Sequence, residues 1–350
     1  MKIGILTYYK VLNYGAVLQA YALQKVLQSL GHNAFLINYQ PKELTKEYKS
    51  VKITKLRYVS YWLKLCRRLF LFSPFNRFVK NYLNEGTLYT SLEQLFNDPP
   101  TADAYIVGSD QVWRTELSGN NDTFFLPFST NDMLKIAYAA SCGGDHSFLK
   151  DKNKVRLLQN FNAISVREEA LRGELQKKGT GAETVLDPTL LWNDYSEFIR
   201  ENTEGDYIVV YNVLLTRNFK NKLKYLRKST KMPIINIGPD YLLGADKNLL
   251  GVNPSEWINL LYHAKYVYTN SFHGVVFSVN FAKKFLYVPN DIASDSRVTD
   301  FLSQIGLQSM IINKTEDIDR CVSINKTLVA NENLAEMKEK SLQFLIKALK

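Results

Sequence analysis

Polar and titratable side chains follow several apolar segments that the hydrophobic pattern predicts to be strands. His273 lies with Asn270 and Ser271 in a turn between a predicted strand at 266–269 and a predicted apolar helix at 274–281. Such a turn at the carboxyl end of a parallel strand favours an anion, because free backbone N–H groups point outward there. We therefore predict a ligand site at this turn. The alternative stays open that Ser271 merely caps the helix and His273 is a core histidine.

A second polar turn follows the apolar segment 104–108 and contains Asp110, Trp113 and Arg114. An aspartate beside a tryptophan can hold a sugar, because the carboxylate accepts hydrogen bonds from hydroxyls and the ring covers an apolar sugar face. Asp110 could also serve as a general base, although a helix N-cap explains it equally well.

Arg167 ends a predicted strand at 163–167, and His146 lies in a Gly-rich loop at 141–146. The fork of a guanidinium fits a carboxylate or a phosphate, which makes Arg167 a candidate anion clamp. A salt bridge to Glu169 is the alternative. His146 is a further candidate for contact with a ligand.

Near the start of the chain, Asn13 and Gly15 lie in a predicted loop between a strand at 2–9 and a helix at 16–30. Gly15 would let the backbone approach a bound group closely. Neither G-x-G-x-x-G nor G-x-x-x-x-G-K-[ST] occurs, so no motif indicates NAD or ATP in a P-loop. We expect Gln19 and Gln24 to lie on the solvated face of the helix, although Gln19 is one turn from the loop and could reach a ligand.

Length and composition favour a two-domain protein without structural metal. The chain has 350 residues, of which 46% are hydrophobic. Its three cysteines are widely separated and show no metal-ligand spacing, so neither a disulfide framework nor a zinc site is expected. We expect a cytoplasmic protein, because no basic-then-apolar leader and no apolar run of about 18 residues occurs.

Strands and helices alternate along most of the chain, which predicts an α/β fold with two Rossmann-like domains and an inter-domain cleft, as in GT-B enzymes. The first domain is expected at 1–192, and the polar segment 193–206 separates it from a second at 206–330. The second domain should contain strands at 207–215 and 309–313. The remaining segment, 331–350, is an amphipathic helix that we expect to pack back on the first domain.

Residues 42–80 are strongly basic and form most of a predicted helical insertion at about 42–88. They hold eleven Lys and Arg residues against two Glu, which gives +9 of the chain's formal charge of +10. Interleaved aromatic residues, including Trp62, Phe70 and Phe72, make this pattern typical of a segment on an anionic membrane surface. Nucleic acid is the rival partner, but no nucleic-acid fold signature accompanies the segment. A solvated lid packed on the first domain is the third interpretation.

Six motifs occur in an order that resembles the polysaccharide pyruvyl transferase family. They extend from the start of the chain to about residue 290, and each is weak alone. The six are NYGAVLQAYALQKVL from Asn13, GSDQVW from Gly108, IAYAAS from Ile136, SVRE from Ser165, LDPT from Leu186 and SFHG from Ser271.

The resemblance implies a transferase that moves the enolpyruvyl unit of phosphoenolpyruvate onto a sugar as a ketal and releases phosphate, with no cofactor. It implies His273 as general acid or phosphate partner and Asp110 as sugar holder or base. Donor binding is then assigned to Arg167, Asn270, Ser271, Asn13 and Gly15, and acceptor binding to Trp113, Arg114 and His146.

The resemblance also implies a lipid-linked sugar acceptor, and hence a peripheral position on the inner face of the membrane. One departure concerns the donor site. Some members have an arginine two residues before the histidine, where this chain has Ser271. Either Lys283, Lys284 or Arg297 takes its place, or the donor is bound differently. Two other functions stay open: a GT-B glycosyltransferase that uses a nucleotide sugar, and a basic RNA-binding protein.

Overall fold

The structure is a computed structural model that describes residues 1–41, 59–118, 121–130, 132–201, 205–290, 296–323 and 332–350, with backbone alone for 59–69 and 296. The chain divides into two compact units. Unit 1 comprises Met1–Trp192 and Met337–Lys350, and unit 2 comprises Asn193–Glu336. The boundary after Trp192 lies where the polar segment of the sequence begins.

In its described residues, unit 1 contains a seven-stranded parallel sheet in the order β3-β2-β1-β4-β5-β6-β7. The central strands are apolar on both faces, as helix-covered parallel strands must be. The strands are β1 (Lys2–Leu6), β2 (Asn33–Tyr39), β3 (Glu85–Tyr89), β4 (Ala104–Val107), β5 (Leu134–Ala140), β6 (Ala163–Val166) and β7 (Glu183–Thr184).

Helices connect these strands, and the first of them is buried on nearly all sides. The helices of unit 1 before residue 192 are α1 (Tyr14–Ser29), α2 (Val59–Tyr82), α3 (Leu92–Asn97), α4 (Thr115–Ser118), α5 (Lys152–Leu158), α6 (Glu169–Lys177) and α7 (Pro188–Leu191). The expectation that Gln19 and Gln24 are solvated is wrong, since both are buried. Gln24 donates from Nε2 to the carbonyl of Tyr82 and accepts the N–H of Asn84, which ties α1 to the end of α2.

The C-terminal half of the basic segment belongs to the core of unit 1. Phe75 packs its ring against Tyr14 and Phe78 against Tyr21, and Phe72 is also buried. Phe72 therefore cannot lie on a membrane, which corrects that part of the prediction. The predicted helical insertion also ends in a strand, because β3 pairs with β2 at the edge of the sheet. Residues 42–58 lie outside the described residues.

The described part of unit 2 contains a five-stranded parallel sheet in the order β10-β9-β8-β11-β12. Its strands are β8 (Ile208–Tyr211), β9 (Ile234–Asn236), β10 (Lys247–Asn248), β11 (Tyr266–Thr269) and β12 (Lys284–Tyr287). Its helices are α8 (Arg217–Thr230), α9 (Pro254–His263), α10 (Phe272–Asn280), α11 (Ser296–Gln304) and α12 (Asp317–Ser323).

Two strand predictions for unit 2 need correction. The strand expected at 207–215 ends at Tyr211, because the chain leaves the sheet toward α8. The strand expected at 309–313 is a 3-10 turn, Gln308–Met310, followed by a single bridge from Ile311 to Tyr287. The prediction of an α/β fold with two Rossmann-like parts is confirmed by the two parallel sheets.

The last helix, α13 (Glu332–Ala348), ends in unit 1. The hydroxyl of Ser341 accepts the backbone N–H of Leu186 at 3.0 Å, and the ring of Phe344 lies 6.2 Å from that of Tyr138. Leu345 is fully buried. The C-terminal residues are therefore a structural part of unit 1.

Within the described ranges, no helix is both long and apolar enough to cross a membrane.

Candidate functional site

In each unit, the strand order reverses at one position, and the loops that leave the sheet there are where ligands bind in open α/β folds. In unit 1 the reversal lies between β1 and β4, and in unit 2 it lies between β8 and β11. The predicted residues Asp110 and His273 come from loops at these positions, after β4 and β11 respectively. Sequence order alone placed them after strands, but only the sheet order shows that these are the reversal points.

Asp110 has a strained backbone and an incompletely satisfied carboxylate. Its φ of +79° lies in the left-handed region, which costs a non-glycine residue about 1–3 kcal/mol. Its carbonyl accepts the N–H of Ser141, and Oδ1 accepts the N–H of Gln111 at 2.8 Å. Its other oxygen, Oδ2, is buried and has no hydrogen-bond partner among the described residues. Strain of this kind persists where surrounding structure holds a functional group in place.

Arg167, directly after β6, is buried beside this aspartate. Its Nη1 donates to Oδ2 of Asp187 at 2.8 Å, and its Nη2 lies 4.0 Å from Oδ1 of Asp110. The predicted alternative, a bridge to Glu169, is wrong, because Glu169 pairs with Arg172 on α6. Burial alone would lower the pKa of Arg167, but the carboxylates of Asp187, Glu168 and Asp110 raise it above its usual value. The guanidinium is therefore a permanent cation.

Asp187 is the residue that fixes Arg167, and the sequence analysis named it only within a motif. Its Oδ2 also accepts the hydroxyl of Ser109, and its Oδ1 caps α7 by accepting from the backbone and hydroxyl of Thr189. Each oxygen thus has at least two donors. This geometry makes Asp187 the link between the ends of β4 and β6.

A third carboxylate belongs to the same cluster. Glu168 accepts the hydroxyl of Ser141 on Oε1 at 2.5 Å, and that hydroxyl accepts the N–H of Gly143. With Asp110 and Asp187, the described residues bring three carboxylates around one guanidinium. No group of three or more acidic, histidine or cysteine side chains with the geometry of a metal site occurs in the described part of the chain.

The predicted acceptor residues differ in exposure. Trp113 is only 1% exposed, its ring stacks on Phe125, and its Nε1 donates to the carbonyl of Phe124. No face of the ring is open to a sugar, so Trp113 is a core residue and its predicted role is corrected. Arg114 is partly exposed and donates hydrogen bonds to the side chains of Gln111 and Glu116. His146 is half-buried and precedes the 3-10 turn Ser147–Lys150.

Asn13 and Gly15 lie at the start of α1, and the loop predicted for them is shorter than expected. Helix α1 begins at Tyr14, so Gly15 is buried in its first turn. The side chain of Asn13 caps the helix by accepting the N–H of Ala16 at 3.3 Å. The first turn of α1 contains no acidic residue, so no carboxylate there offsets the partial positive charge at the N-terminal end of the helix.

In unit 2, His273 is the second residue of α10 and is 8% exposed. The helix begins very close to β11: a Cβ on Gly274 would lie 2.9 Å from Cβ of Thr269. Only glycine permits this approach, and it brings His273 to the end of the sheet. The alternative that Ser271 caps the helix is not supported, because its side chain makes no capping hydrogen bond within the described residues.

Asn270 has a structural task. Its Oδ1 accepts the N–H of Val213, and its Nδ2 donates to the carbonyl of Leu214 and to Oδ1 of Asn290. These bonds connect the loops after β8, β11 and β12. Both amide atoms are therefore used inside unit 2, and Asn270 shapes the end of the sheet.

The basic residues proposed to replace an arginine at 271 differ in position. Lys284 is the first residue of β12 and pairs with Tyr266, the first residue of β11, so Lys283 and Lys284 lie at the amino edge of the sheet. His273 lies beyond the opposite edge, which rules out both lysines. Arg297 instead lies over the ring of Phe272, with 6.0 Å between Cζ and the ring centroid.

Sequence reasoning missed Asn212. It directly follows β8, is fully buried, and has no hydrogen bond on either amide atom among the described residues. It packs against Gly238, where an added Cβ would lie 3.2 Å from its Cγ. The signal was an asparagine at or just after the end of each strand of the unit 2 sheet: Asn236 and Asn248 end their strands, Asn212 and Asn270 directly follow theirs, and Asn290 lies three residues beyond β12.

Comparisons with known proteins identify the family from the sequence and the fold from the structure. A family model described as polysaccharide pyruvyl transferase matches residues 13–292. No curated protein matches the chain significantly in sequence.

Solved structures resemble the chain in fold. S. aureus MnaA with UDP has a TM-score of 0.56 at 10% identity, covering 99% of this chain and 96% of that one. The Methanocaldococcus jannaschii UDP-GlcNAc 2-epimerase with UDP-GlcNAc and UDP has a TM-score of 0.52 at 12% identity, covering 99% and 100%. An alpha-glucosyltransferase with UDP and a 13-mer DNA has a TM-score of 0.51 at 11% identity, covering 99% and 96%. These are GT-B enzymes, and the fold of this chain is of that class.

Proposed function

Because the chain belongs to the polysaccharide pyruvyl transferase family, we propose that it forms a pyruvate ketal on a sugar of a cell-surface polysaccharide precursor, with phosphoenolpyruvate as donor. The observation that carries this proposal is the family match over residues 13–292. That range includes Asp110, Arg167 and His273. The acceptor we propose is a lipid-linked oligosaccharide.

The proposed reaction has two bond-forming steps. A proton is added to the methylene carbon of phosphoenolpyruvate, and a sugar hydroxyl attacks the neighbouring carbon and loses its proton to a base. A second hydroxyl then attacks the same carbon and displaces the phosphate group, which leaves with its oxygen and takes up the proton of that hydroxyl, so that inorganic phosphate is released. The product is a cyclic ketal, and no redox cofactor or metal is required by the balance.

In unit 2, we assign His273 as the general acid or as the partner of the donor phosphate. Its place in the first turn of α10 supports this role, because backbone N–H groups at a helix start attract an anion. Ser271 contributes a hydroxyl that is not used as a cap. Arg297, beside Phe272, replaces the arginine that this chain lacks at position 271.

In unit 1, we assign Asp110 as the residue that holds or deprotonates a sugar hydroxyl. Its buried oxygen without a partner and its strained backbone support this assignment. Arg167 is paired with Asp187 and nearly inaccessible, so its proposed task changes from donor clamp to positioning of Asp110 and Asp187.

The test is phosphate release from phosphoenolpyruvate with a panel of lipid-linked sugars. We expect release that depends on acceptor and a product heavier by one pyruvate ketal. Arg297→Gln should raise the KM for phosphoenolpyruvate, while Lys284→Gln, at the other edge of the sheet, should leave it unchanged. Acceptor-independent release, or no release with any acceptor, would contradict the proposal.

A second candidate is a glycosyltransferase that uses a nucleotide sugar. The likeness in fold to three UDP-bound structures favours it. A ligand that binds the folded state alone raises the melting temperature, so UDP and phosphoenolpyruvate can be compared directly. A shift with UDP and none with phosphoenolpyruvate would favour this candidate over ketal formation.

A further inference from the structure

Helix α8 of unit 2 is unusually basic. It carries six cationic residues and no acidic one between Arg217 and Thr230. Two of the six have tasks inside the unit. Lys222 is buried and donates from Nζ to the carbonyls of Ile312 and Asn313, and Arg227 bonds Asp246 and the carbonyl of Gly244.

The other four cations form one exposed row, which we call the α8 basic row: Arg217, Lys220, Lys224 and Lys228. Their spacing of three, four and four residues places them on one face of the helix. The helix is about 21 Å long at about 1.5 Å per residue. None of the four forms an ion pair within the described part of the chain.

The N-terminal part of this row works against the stability of α8, whereas Lys228 lies in the last turn, where a cation is favourable. Like charges four residues apart repel each other, and cations in the first turn oppose the helix dipole. Thr216 caps the helix, but the first turn contains no acidic residue that would offset Arg217 and Lys220. A row of cations that repel each other in this way is expected where an anionic partner outside the protein binds to it.

Apolar side chains continue the row beyond its N-terminal end. Val213 and Leu214 are 52% and 47% exposed, although large aliphatic residues are usually buried. Their exposure does not come from a loose loop. The buried amide of Asn270 accepts the N–H of Val213 and donates to the carbonyl of Leu214, so it fixes their backbone from within the unit.

A second loop at the same edge presents two more apolar residues. Tyr241 and Leu243 are 66% and 90% exposed and follow β9, the parallel neighbour of β8. Asn248 fixes this loop by accepting the N–H of Leu242 and donating to its carbonyl. Both loops therefore leave the carboxyl edge of the sheet, where α8 also begins.

From these observations we propose that the α8 basic row and the apolar loops at its start bind an anionic phospholipid surface. Cations would contact the headgroups, while Val213, Leu214 and Leu243 would enter the boundary between headgroups and acyl chains. Nucleic acid also attracts a basic row, and Tyr241 could stack on a base, but the aliphatic Val213, Leu214 and Leu243 have no aromatic face for stacking and would not add to such binding. Binding to a lipid surface accounts both for the cations of the α8 basic row and for the exposed apolar residues of the loops at its start.

This surface consists of other residues than segment 42–80. Its loop with Val213 and Leu214 leaves the sheet beside the reversal point between β8 and β11, but its assignment does not depend on the donor or on ketal chemistry. It would be a membrane contact of unit 2, formed by residues that the structure describes. The proposed function can fail in the phosphate-release assay while this inference stands, because its measurement is binding to lipid alone.

The test is sedimentation of the full chain with vesicles of phosphatidylcholine and vesicles containing phosphatidylglycerol. The test variant is Lys220→Gln with Lys224→Gln and Lys228→Gln. At low salt we expect about 100-fold weaker binding to the anionic vesicles, from about fivefold per lysine near the surface. The control replaces the exposed Lys150, Lys152 and Lys178 of unit 1 by Gln, which changes net charge equally and should leave binding unchanged.

A second pair of variants tests the exposed apolar residues of the loop after β8. Val213→Ser with Leu214→Ser should weaken vesicle binding, and this loss should persist at raised salt, where charge attraction is screened. The matched control is Leu88→Ser with Phe96→Ser, because both residues are 52% exposed on unit 1. Melting curves of all variants should match that of the unaltered protein.

Two results would overturn the inference. One is equal vesicle binding by the lysine variant and its control. The other is binding of a 20-nucleotide oligomer that falls with the lysine variant while neither protein sediments with anionic vesicles, which would make the row a nucleic-acid surface.

Discussion

At the scale of single residues, the best supported catalytic candidate is His273, because the structure brings it to the end of the unit 2 sheet. His273→Gln should lower turnover by about 10²- to 10⁴-fold, the range typical of a positioned acid or base. Glutamine is preferred to alanine because His273 is buried and a cavity would confuse the result. His32→Gln is the control. Steady-state phosphate release, with a melting curve for each variant, is the measurement, and unchanged turnover would remove His273 from the mechanism.

Arg167 belongs to the residue scale as a buried ion-pair partner. Arg167→Met should destabilise unit 1 by about 3–5 kcal/mol, because the carboxylate of Asp187 would stay buried without its cation. Since the pKa of Arg167 is raised, this stabilisation is present below the usual arginine pKa and is lost only as pH rises through the higher value. Urea unfolding near neutral pH measures it. Full stability in Arg167→Met together with a higher KM for phosphoenolpyruvate would instead restore the donor-clamp role.

At the scale of elements, the start of α10 depends on its close approach to β11. Gly274→Ala would place a Cβ 2.9 Å from Cβ of Thr269, so the helix must shift and move His273 with it. We expect a loss of about 1–3 kcal/mol and a clear fall in turnover. Gly173→Ala in α6 is the matched control, because nothing lies within 4 Å of the added Cβ. That change should stabilise the protein by about 0.5–1 kcal/mol. Equal turnover in both variants would show that the approach is not needed for the site.

At the scale of the whole molecule, the C-terminal residues complete unit 1 although they follow unit 2 in the chain. Removal of Met337–Lys350 would expose Tyr138 and leave the N–H of Leu186 without the hydroxyl of Ser341. We expect unit 1 to become sensitive to limited proteolysis while unit 2 stays resistant. A truncated protein in which both units resist cleavage equally would show that α13 adds little stability.

The sequence by itself determined the alternation of strands and helices, since hydrophobic periodicity reports which segments are buried. It also placed Asp110, Arg167 and His273 after strands, and its ordered motifs predicted the family. It did not separate a core aromatic from a ligand-binding one. Trp113 and Phe72 have the residue types of surface contacts, yet both pack inside unit 1.

Only the tertiary structure decided which side chains meet. Arg167 pairs with Asp187 and not with nearby Glu169, because β6 and the turn before α7 reach the same end of the sheet. Lys283 and Lys284 are close to His273 in sequence but lie at the opposite edge, because the helix between parallel strands returns the chain to where the sheet begins. Partners of this kind follow from sheet order, which is set by contacts between distant segments and leaves no local pattern in the sequence.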